Sequence, residues 1–444
     1  MLKLITLALI FSTSILAQVN NSQFVHEGLF IFDSQKKLIK TFTDQKITVD
    51  HVNSSGYEVY GPVGLEEWVK ILNVPYKILD EFHEDHANKD FLGYPTPTEV
   101  YNRLETLVAN NTDILKSFSI GKSHNGQEIL TIKVSDSVEL DEVEPEFKYI
   151  ANMHGNEIVG REMMVLFLED LVKKYRDNDP KVQALVNNTE MFIIPTMNPD
   201  GSEKKRRGNG RWIDLNRNFP DFTTQDNDNT PENREPETQA IMKFQAQRNF
   251  ALSANFHGGT KVVNYPWDTS RETAPLTPLI IELSKEYASK VEGMFNSSEF
   301  QNGIVNGYQW YEVNGGMQDW SYNWYGDLQV TIELSHQKWP DYSTIPTFYQ
   351  QNAWSLFRFA NRIHQGVGFK FEDKSLSGKV TIYSLDRTGQ RKIGDYFFGR
   401  GEYYKVLPLG YYRFELEISD GRSISFNESV NFPGEKENGN YVQL

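Results

Sequence analysis

Two residue types that bind metal ions stand three positions apart, directly after a segment with the pattern of a buried strand. His154 and Glu157 follow the strand-like segment 147–153, and His257 comes directly after a second such segment, 250–256. Two imidazoles and one carboxylate can hold zinc with a fourth position left for water, which is typical of a catalytic rather than a structural site. Taken alone, His-x-x-Glu also fits an ordinary surface histidine near a helix start.

A second group of residues could bind a carboxylate. Residues 214–221 read DLNRNFPD, so Asn216 stands beside Arg217. The planar guanidinium of an arginine suits a two-point grip on a carboxylate, and a free α-carboxylate is what an enzyme acting on peptide ends must recognise. The alternative is that Arg217 pairs with Asp214 or Asp221 and serves only the fold.

A third feature is an acidic residue inside an apolar, strand-like segment. Glu333 lies within residues 331–335, which read TIELS. A carboxylate in such a place is either paired inside the fold or used as a base. Beside a zinc ion and its water, it could accept a proton as the water attacks a peptide carbonyl and then pass that proton to the leaving amine.

These residues need a scaffold that brings distant strand ends together. Between residues 91 and 367, strand-like runs alternate with helical patterns, which favours an α/β fold whose mixed central sheet is covered by helices on both faces. The expected strands are 147–153, 190–194, 250–256 and 328–332, and the expected helices are 159–176, 236–247, 277–295 and 347–365.

Two smaller regions flank this predicted core. Residues 18–90 combine a short apolar run with a helical pattern over 65–72, which favours a small α/β module that ends in the polar linker 83–90. Residues 368–444 alternate β-branched and aromatic residues with turn signals, which favours a small all-β sandwich.

The first 17 residues have the pattern of a secretory signal peptide. Lys3 is followed by the apolar run 4–16 and the small residue Ala17, which predicts a secreted or periplasmic protein. The alternative is a buried first strand or helix. No later apolar run approaches the length of a membrane span. The sequence does not indicate an oligomeric state.

Charge and cysteine content narrow the range of partners. The net charge is −15 over 444 residues, which disfavours nucleic acids and anionic membranes and favours cationic substrates by weak long-range attraction. The sequence contains no cysteine. Disulfides and cysteine-based zinc sites are therefore excluded.

Taken together, the motifs resemble those of the M14 metallocarboxypeptidases, in particular their N/E or regulatory subfamily. The similarity runs in order over about residues 92–365. The tail resembles the transthyretin-like domain that follows the catalytic domain in that subfamily. The motifs that carry the resemblance are HGNE, NPDG (198–201), DLNRNFPD, SANFHGG, YPWD (265–268), NGYQWYEVNGGMQDW (306–320), TIELS and, in the tail, GEYYKVLPLGYY.

The resemblance implies one zinc ion per chain, held by His154, Glu157 and His257, with Glu333 as the general base. It implies hydrolysis of the C-terminal peptide bond of peptides and proteins. Two other activities stay open. One is the same chemistry on peptidoglycan stem peptides, and the other is a binding module that has lost catalysis.

The resemblance also implies residues that bind the substrate. Asn216 and Arg217 would hold its terminal carboxylate. Tyr311, seven residues before Gln318, matches a mobile tyrosine that closes over bound substrate.

An arginine that polarises the scissile carbonyl is also expected. The loop 202–213 offers Arg206, Arg207 and Arg211. The spacing R-x-N favours Arg207, and Arg211 is the alternative.

Two positions bear on specificity. Asp268 and Gln318 match polar residues that line the side-chain pocket in relatives that cleave C-terminal Lys or Arg. A buried acid there would need a cationic partner, which such a substrate provides. The alternative is that Asp268 pairs with Arg271 and leaves a neutral pocket.

The chain departs from the subfamily at its front, where about 70 residues separate the leader from the catalytic region. The segment 18–90 loosely resembles the inhibitory pro-segments of the other main M14 subfamily, so it is a candidate pro-segment. The remaining histidines lack a companion motif and are read as structural or surface residues: His51, His83, His86, His124, His336 and His364.

Overall fold

A computed structural model describes residues 26–79, 93–431 and 440–444, and the chain divides into two compact units. Within the described residues, the first unit contains 26–50 and 55–79. The second contains 51–54 together with everything from residue 93 onward. The expected signal peptide, 1–17, and the expected linker, 83–90, lie outside the described residues.

The first unit is a small α/β module, as expected from its pattern. Its sheet has the order β2-β3-β1-β4 and is antiparallel throughout. The apolar positions of the second helix are buried because they recur at helical spacing on one face. Its elements are β1 (His26–Ile31), α1 (Ile39–Asp44), β2 (Thr48–Asp50), β3 (Tyr57–Pro62), α2 (Leu65–Leu72) and β4 (Tyr76–Ile78).

The second unit is built on a mixed eight-stranded sheet with the order β11-β10-β12-β9-β7-β8-β6-β5. Its strands are β5 (Leu115–Lys122), β6 (Glu128–Val134), β7 (Glu146–Ala151), β8 (Glu190–Ile194), β9 (Phe250–His257), β10 (Lys261–Tyr265), β11 (Ile304–Asn306) and β12 (Leu328–Leu334). The four central strands, β12, β9, β7 and β8, are parallel, whereas β10 and β6 pair with this core in the antiparallel sense. The expectation of a mixed central sheet is confirmed.

Helices cover both faces of this sheet, because the central strands are apolar on both sides. Phe147 and Tyr149 of β7 face one hydrophobic core, and the next residue, Ile150, faces the other. The helices are α3 (Pro97–Ala109), α4 (Val159–Arg176), α5 (Pro180–Val186), α6 (Pro199–Glu203), α7 (Pro236–Ala246), α8 (Thr277–Ala288), α9 (Gly307–Trp310), α10 (Met317–Tyr325) and α11 (Ile345–Asn361).

The sequence predicted the strands β7, β8, β9 and β12 and the helices α4, α7, α8 and α11, and the end of α8 lies furthest from its prediction. The strand 190–194 and the helix 159–176 have the predicted bounds. The helix predicted over 277–295 ends at Ala288. Val291 and Met294 continue the apolar spacing and are buried, but they lie in turns, so burial alone does not extend the helix.

The C-terminal part forms two packed β-sheets. The four-stranded sheet has the order β15-β14-β17-β18 and the three-stranded sheet the order β16-β13-β19. Phe369 of one sheet and Phe398 of the other meet edge to face, with ring centroids 5.0 Å apart. The strands are β13 (Gly366–Lys370), β14 (Gly378–Asp386), β15 (Gly389–Phe398), β16 (Glu402–Val406), β17 (Gly410–Ile418), β18 (Ser423–Val430) and β19 (Asn440–Gln443).

This arrangement is that of a small transthyretin-like β-sandwich, as expected. Among the described residues, no helix has the length and apolar character needed to cross a membrane.

Candidate active site

Three side chains predicted to bind zinc converge at the carboxyl ends of the parallel strands. His154 follows β7, Glu157 lies in the loop before α4, and His257 ends β9. His154 Nδ1 lies 3.0 Å from Glu157 Oε1, and His257 Nδ1 lies 2.9 Å from Glu157 Oε2. The two imidazole Nδ1 atoms are 3.1 Å apart. The strand ends thus bring three ligand types, separated in sequence, to one buried point.

The donor set fits a divalent zinc ion. Two ring nitrogens that face each other cannot both be hydrogen-bond acceptors, whereas a shared cation satisfies both. All three side chains are buried, and two histidines with one glutamate form a ligand set known from catalytic zinc sites, where a fourth position is left open. The residues present therefore fit the metal that the resemblance implies.

Each histidine is oriented by a second partner on the far side of its ring. His154 Nε2 lies 3.1 Å from Asp214 Oδ1, and His257 Nε2 lies 2.7 Å from the side-chain amide of Asn255. Within the described residues, Asn255 Oδ1 has no hydrogen-bond partner. With the oxygen and nitrogen of this amide exchanged, Oδ1 can accept the Nε2 proton of His257. Such outer contacts fix the tautomer that leaves Nδ1 for the metal.

Glu333 stands next to this cluster because of strand register. It lies on β12 directly opposite His257 of the parallel strand β9. Its side chain is buried, and within the described part of the chain Oε2 has no hydrogen-bond partner. A hydrogen bond to this oxygen from inside the fold is thus not seen among the described residues.

Of the three candidate arginines, Arg207 is the one beside the cluster. Its Nη1 lies 3.0 Å from His154 Nδ1 and 3.6 Å from Glu157 Oε1. Arg211 extends to Glu235 at 3.2 Å and is about half exposed. Arg206 stacks on the ring of Trp212 at 4.3 Å.

From the sequence, Asp214 was considered only as a structural partner of Arg217. In the structure its closer contacts are with Arg207 and His154. Its Oδ2 accepts hydrogen bonds from Nε and Nη2 of Arg207, at 3.0 and 2.8 Å, while Oδ1 faces His154. Burial by itself would raise the pKa of Asp214, but the charges of Arg207, His154 and Arg217 more than offset it, and the pKa lies well below its usual value. The carboxylate therefore stays ionised and fixes both partners.

Asn216 and Arg217 lie on a short 3₁₀ turn, Leu215–Arg217, directly after Asp214. Arg217 Nη1 donates to the backbone carbonyl of Asn216 at 3.0 Å and lies 4.0 Å from Asp214 Oδ2. Because Arg207 holds that carboxylate at closer range, pairing with Asp214 is not the main contact of Arg217. Asn216 Oδ1 accepts the backbone N–H of Met317 at 3.0 Å, which ties this turn to the start of α10.

Asp268 and Gln318 meet in a buried pocket. Gln318 Nε2 and Asn264 Nδ2 each donate to Asp268 Oδ1 at 3.0 Å. Burial raises the pKa of Asp268 to about 7, although the hydrogen bond from Asn264 and the charge of Arg217 act in the opposite direction. Arg271, the alternative partner, donates instead to the Tyr308 hydroxyl at 3.1 Å.

A residue that the sequence reasoning missed holds this pocket in place. Asp319 Oδ2 accepts the backbone N–H groups of Asp268 and Thr269, at 2.8 and 2.9 Å. Burial, and then the charge of Asp268, raise the pKa of Asp319 well above its usual value. The motif GGMQDW contains Asp319 directly after Gln318, so its place in the motif was the available signal.

Tyr311 follows the short helix α9 and packs edge to face on Trp310, with ring centroids 4.9 Å apart. Its backbone N–H donates to Gly307 at 2.9 Å. The adjoining indole of Trp310 donates to the carbonyl of Val52 at 2.6 Å. Val52 belongs to the short segment 51–54 of the second unit.

The same segment brings a further histidine to the cluster. The imidazole of His51 is buried, with Nε2 at 3.8 Å from Glu157 Oε1 and at 3.9 Å from Glu333 Oε2. No motif in the sequence marks this histidine, and the expectation of a structural or surface residue did not anticipate it.

Comparison with known proteins assigns the class. Residues 100–355 match the family described as zinc carboxypeptidase, M14, and the chain belongs to this family. Its fold is also similar to solved structures. The carboxypeptidase A of Helicoverpa armigera superimposes with a TM-score of 0.59 at 20% identity, covering 78% of this chain and 98% of that one. Thrombin-activatable fibrinolysis inhibitor gives a TM-score of 0.57 at 18% identity, covering 77% and 99%.

Closer sequence relatives lie in the regulatory subfamily, which confirms the resemblance. Human carboxypeptidase D is 36% identical over 348 residues, covering 72% of this chain and 25% of that protein. Mouse carboxypeptidase M is 36% identical over 341 residues, covering 71% of this chain and 76% of that protein. The chain thus spans about a quarter of the length of the carboxypeptidase D relatives.

Proposed function

We propose that this chain is an exported zinc metallocarboxypeptidase that removes the C-terminal residue of peptides and proteins, with a preference for Lys or Arg. The observation that carries the proposal is the cluster of His154, Glu157 and His257 beside the buried carboxylate of Glu333. Export rests on the leader pattern of residues 1–17.

The first chemical role falls to Glu333. Zinc, when bound, lowers the pKa of water and polarises a carbonyl group. Glu333 Oε2 accepts a proton from the attacking water and returns it to the amine that leaves as the peptide bond breaks. Its place opposite His257 on the neighbouring strand supports this role, because two rigid strand ends set the distance between base and metal ligand.

The second role is the stabilisation of the oxyanion that forms on the scissile carbonyl. Arg207 presents a guanidinium next to His154 and Glu157. Asp214 holds it through Nε and Nη2, so its orientation is set before the substrate arrives. A fixed donor at this place is worth more than a flexible one, since it requires no reorganisation during the reaction.

Recognition of the substrate's end is assigned to a separate group. Arg217 and Asn216 bind the terminal α-carboxylate, and this restricts cleavage to the last peptide bond. Tyr311 closes over the bound residue. The short turn that carries Asn216 and its link to Met317 support a fixed position for this clamp.

The side-chain pocket supports the preference for Lys or Arg. The carboxyl group of Asp268 is buried and accepts only from neutral amides among its described hydrogen-bond partners. A cationic side chain would supply the opposite charge that a buried carboxylate requires. A diamino acid or D-alanine terminus, as in peptidoglycan stem peptides, would use this pocket differently.

A C-terminal specificity profile tests the proposal. We expect blocked peptides ending in Arg or Lys to be hydrolysed at least about tenfold faster, in kcat/KM, than peptides ending in Phe, since one favourable charge contact is worth at least about 1.4 kcal/mol. Citrulline is the matched control because it has the shape of arginine without its charge. Equal rates for Arg and Phe would refute the specificity, and preferential cleavage of D-Ala or diaminopimelate would favour the peptidoglycan substrate.

A further inference from the structure

The segment 51–54 is short, yet it carries a histidine close to the predicted base. It groups with the second unit, whereas the residues on both sides of it group with the first. His51 is 7% exposed and its Nε2 lies 3.8 Å from Glu157 Oε1 and 3.9 Å from Glu333 Oε2. The imidazole therefore stands between a ligand carboxylate and the carboxylate proposed as general base.

The distance to Glu157 is close to that between two ligands of one metal ion. Ligand atoms bound about 2.1 Å from a tetrahedral zinc lie about 3.4 Å apart. The three ligands His154, Glu157 and His257 leave one position open, and histidine is the commonest metal ligand in proteins. His51 Nε2, at 3.8 Å from Glu157 Oε1, lies about 0.4 Å beyond this spacing from that ligand.

The protein leaves room for this ring beside a ligand. Gly259 comes two residues after His257 and has a φ of +131°. A Cβ atom at this position would lie 2.2 Å from both Cδ2 and Nε2 of His51. Only a glycine at residue 259 therefore allows the imidazole of His51 to pack directly against the backbone there.

The backbone of the segment is also held in an uncommon conformation. His51 has a φ of +45°, which a non-glycine residue adopts only where surrounding contacts enforce it. One such contact is the hydrogen bond from the Trp310 indole to the carbonyl of the buried Val52, at 2.6 Å. The donor is the residue directly before Tyr311, so the segment is fixed by the same loop that is proposed to close over substrate.

We propose that His51 is a fourth, displaceable ligand of the zinc ion and that the segment 51–54 holds the enzyme in a latent form. This inference rests on the zinc site of the proposed function. The imidazole takes the place that water needs between the metal and Glu333, and hydrolysis begins when the segment moves away.

The test is to count imidazole ligands by zinc K-edge X-ray absorption on the zinc-loaded full chain. We expect three imidazoles in the wild type and two in His51→Asn, because asparagine tolerates a positive φ but is too short to reach the metal. The matched control is His124→Asn, which replaces an exposed histidine and should keep three. Two imidazoles in the wild type would overturn the inference.

Activity provides a second readout on the same proteins. Hydrolysis of an Arg-terminated peptide should rise at least tenfold in His51→Asn and stay unchanged in His124→Asn. A fall in His51→Asn at full zinc content would mean that His51 assists the reaction, which also overturns the inference. Failure of every variant to bind zinc would instead reject the proposed function itself.

A second substitution guards against misfolding of the first. Trp310→Phe removes the hydrogen bond to Val52 but keeps an aromatic ring against Phe300, whose centroid lies 5.3 Å from that of Trp310. Its activity should lie between those of the wild type and His51→Asn. Wild-type activity in this variant, with His51→Asn folded and inactive, would contradict the latent form.

Discussion

The metal cluster and the side-chain pocket are built in different ways, although both are buried and only a few residues separate them along the chain. The ligands His154 and His257 and the carboxylate of Glu333 stand on or next to the ends of parallel strands. Asp268 stands in a loop after β10, and it is held there by backbone hydrogen bonds to Asp319. The proposed chemistry therefore uses the rigid sheet, whereas the proposed selectivity depends on loops.

The pocket has a further requirement that the cluster lacks. A Cβ atom at Gly307 would lie 1.6 Å from Asp268 Oδ1, so the loop that carries Tyr311 can approach the carboxylate only because residue 307 is a glycine. Loops with such demands can vary in sequence without disturbing the sheet. Substitutions in the metal cluster should therefore change the hydrolysis rate of every substrate. Substitutions in the pocket should change only the preference among substrates.

The largest effect is expected at the cluster. Glu333→Gln keeps the shape of the side chain but cannot accept a proton, so kcat should fall by about a hundredfold to ten-thousandfold. The loss should be equal for peptides ending in Arg and in Phe. Steady-state kinetics with both peptides measures it.

Zinc content and inhibitor binding serve as the controls for this variant. One zinc ion per chain and an unchanged Kd for a C-terminal amino acid analogue would show that the site is intact. Near-normal turnover would reject Glu333 as the base.

A smaller and selective effect is expected in the pocket. Asp268→Asn retains Oδ1 as an acceptor for the amides of Asn264 and Gln318 but removes the charge. The preference for Arg over Phe should fall by about thirtyfold, since loss of one partner of a buried charge pair costs about 2 kcal/mol or more. The ratio of kcat/KM for the two peptides is the measurement.

The peptide ending in Phe is the internal control for this substitution. Its kcat/KM should change little, because its side chain makes no charge contact with residue 268. An unaltered preference for Arg would place the specificity determinant elsewhere.

The smallest effect is a pH dependence of the preference. Burial raises the pKa of Asp268 to about 7, so the carboxyl group is neutral below this pH and ionised above it. The ratio of kcat/KM for Arg over Phe should therefore rise with pH, by at most about tenfold per pH unit, and level off above about pH 7. The charged and titratable groups that bear on this carboxyl group are Arg217, which lowers its pKa, and Asp319, whose own pKa lies well above the usual range.

The ratio is used because ionisation of groups common to both reactions cancels. Asp268→Asn provides the control and should give a flat ratio over the same range. A wild-type ratio that stays constant from pH 5 to 9 would contradict the assigned pKa.

Much of the cluster could be predicted from the sequence. The segments that end at His257 and precede His154 are predominantly apolar, and the carboxyl ends of parallel strands meet at one edge of a sheet. Glu333 could be found because a lone acid interrupts an apolar strand. The pairing of β12 with β9 then sets Glu333 opposite His257, which the alternation of strands and helices suggested without giving the register.

Other features depended on contacts that no local pattern encodes. The hairpin strands β5 and β6 and the antiparallel β10 were not among the expected strands, although they complete the sheet. Asp214 looked like a partner for its neighbour Arg217 but pairs with Arg207. The helix over 277–288 ends earlier than its apolar spacing suggested, because turns bury the next apolar residues equally well.

The sequence by itself predicted the central strands, the candidate ligand types and the candidate base, since these depend on side-chain periodicity and on short motifs at strand ends. Only the tertiary structure decided which arginine faces the cluster, which acid holds the pocket and that His51 lies beside Glu157. The physical reason is that these contacts join residues far apart in the chain. Whether two such side chains come into contact depends on how the sheets and loops pack, and this packing cannot be inferred from the residue types alone.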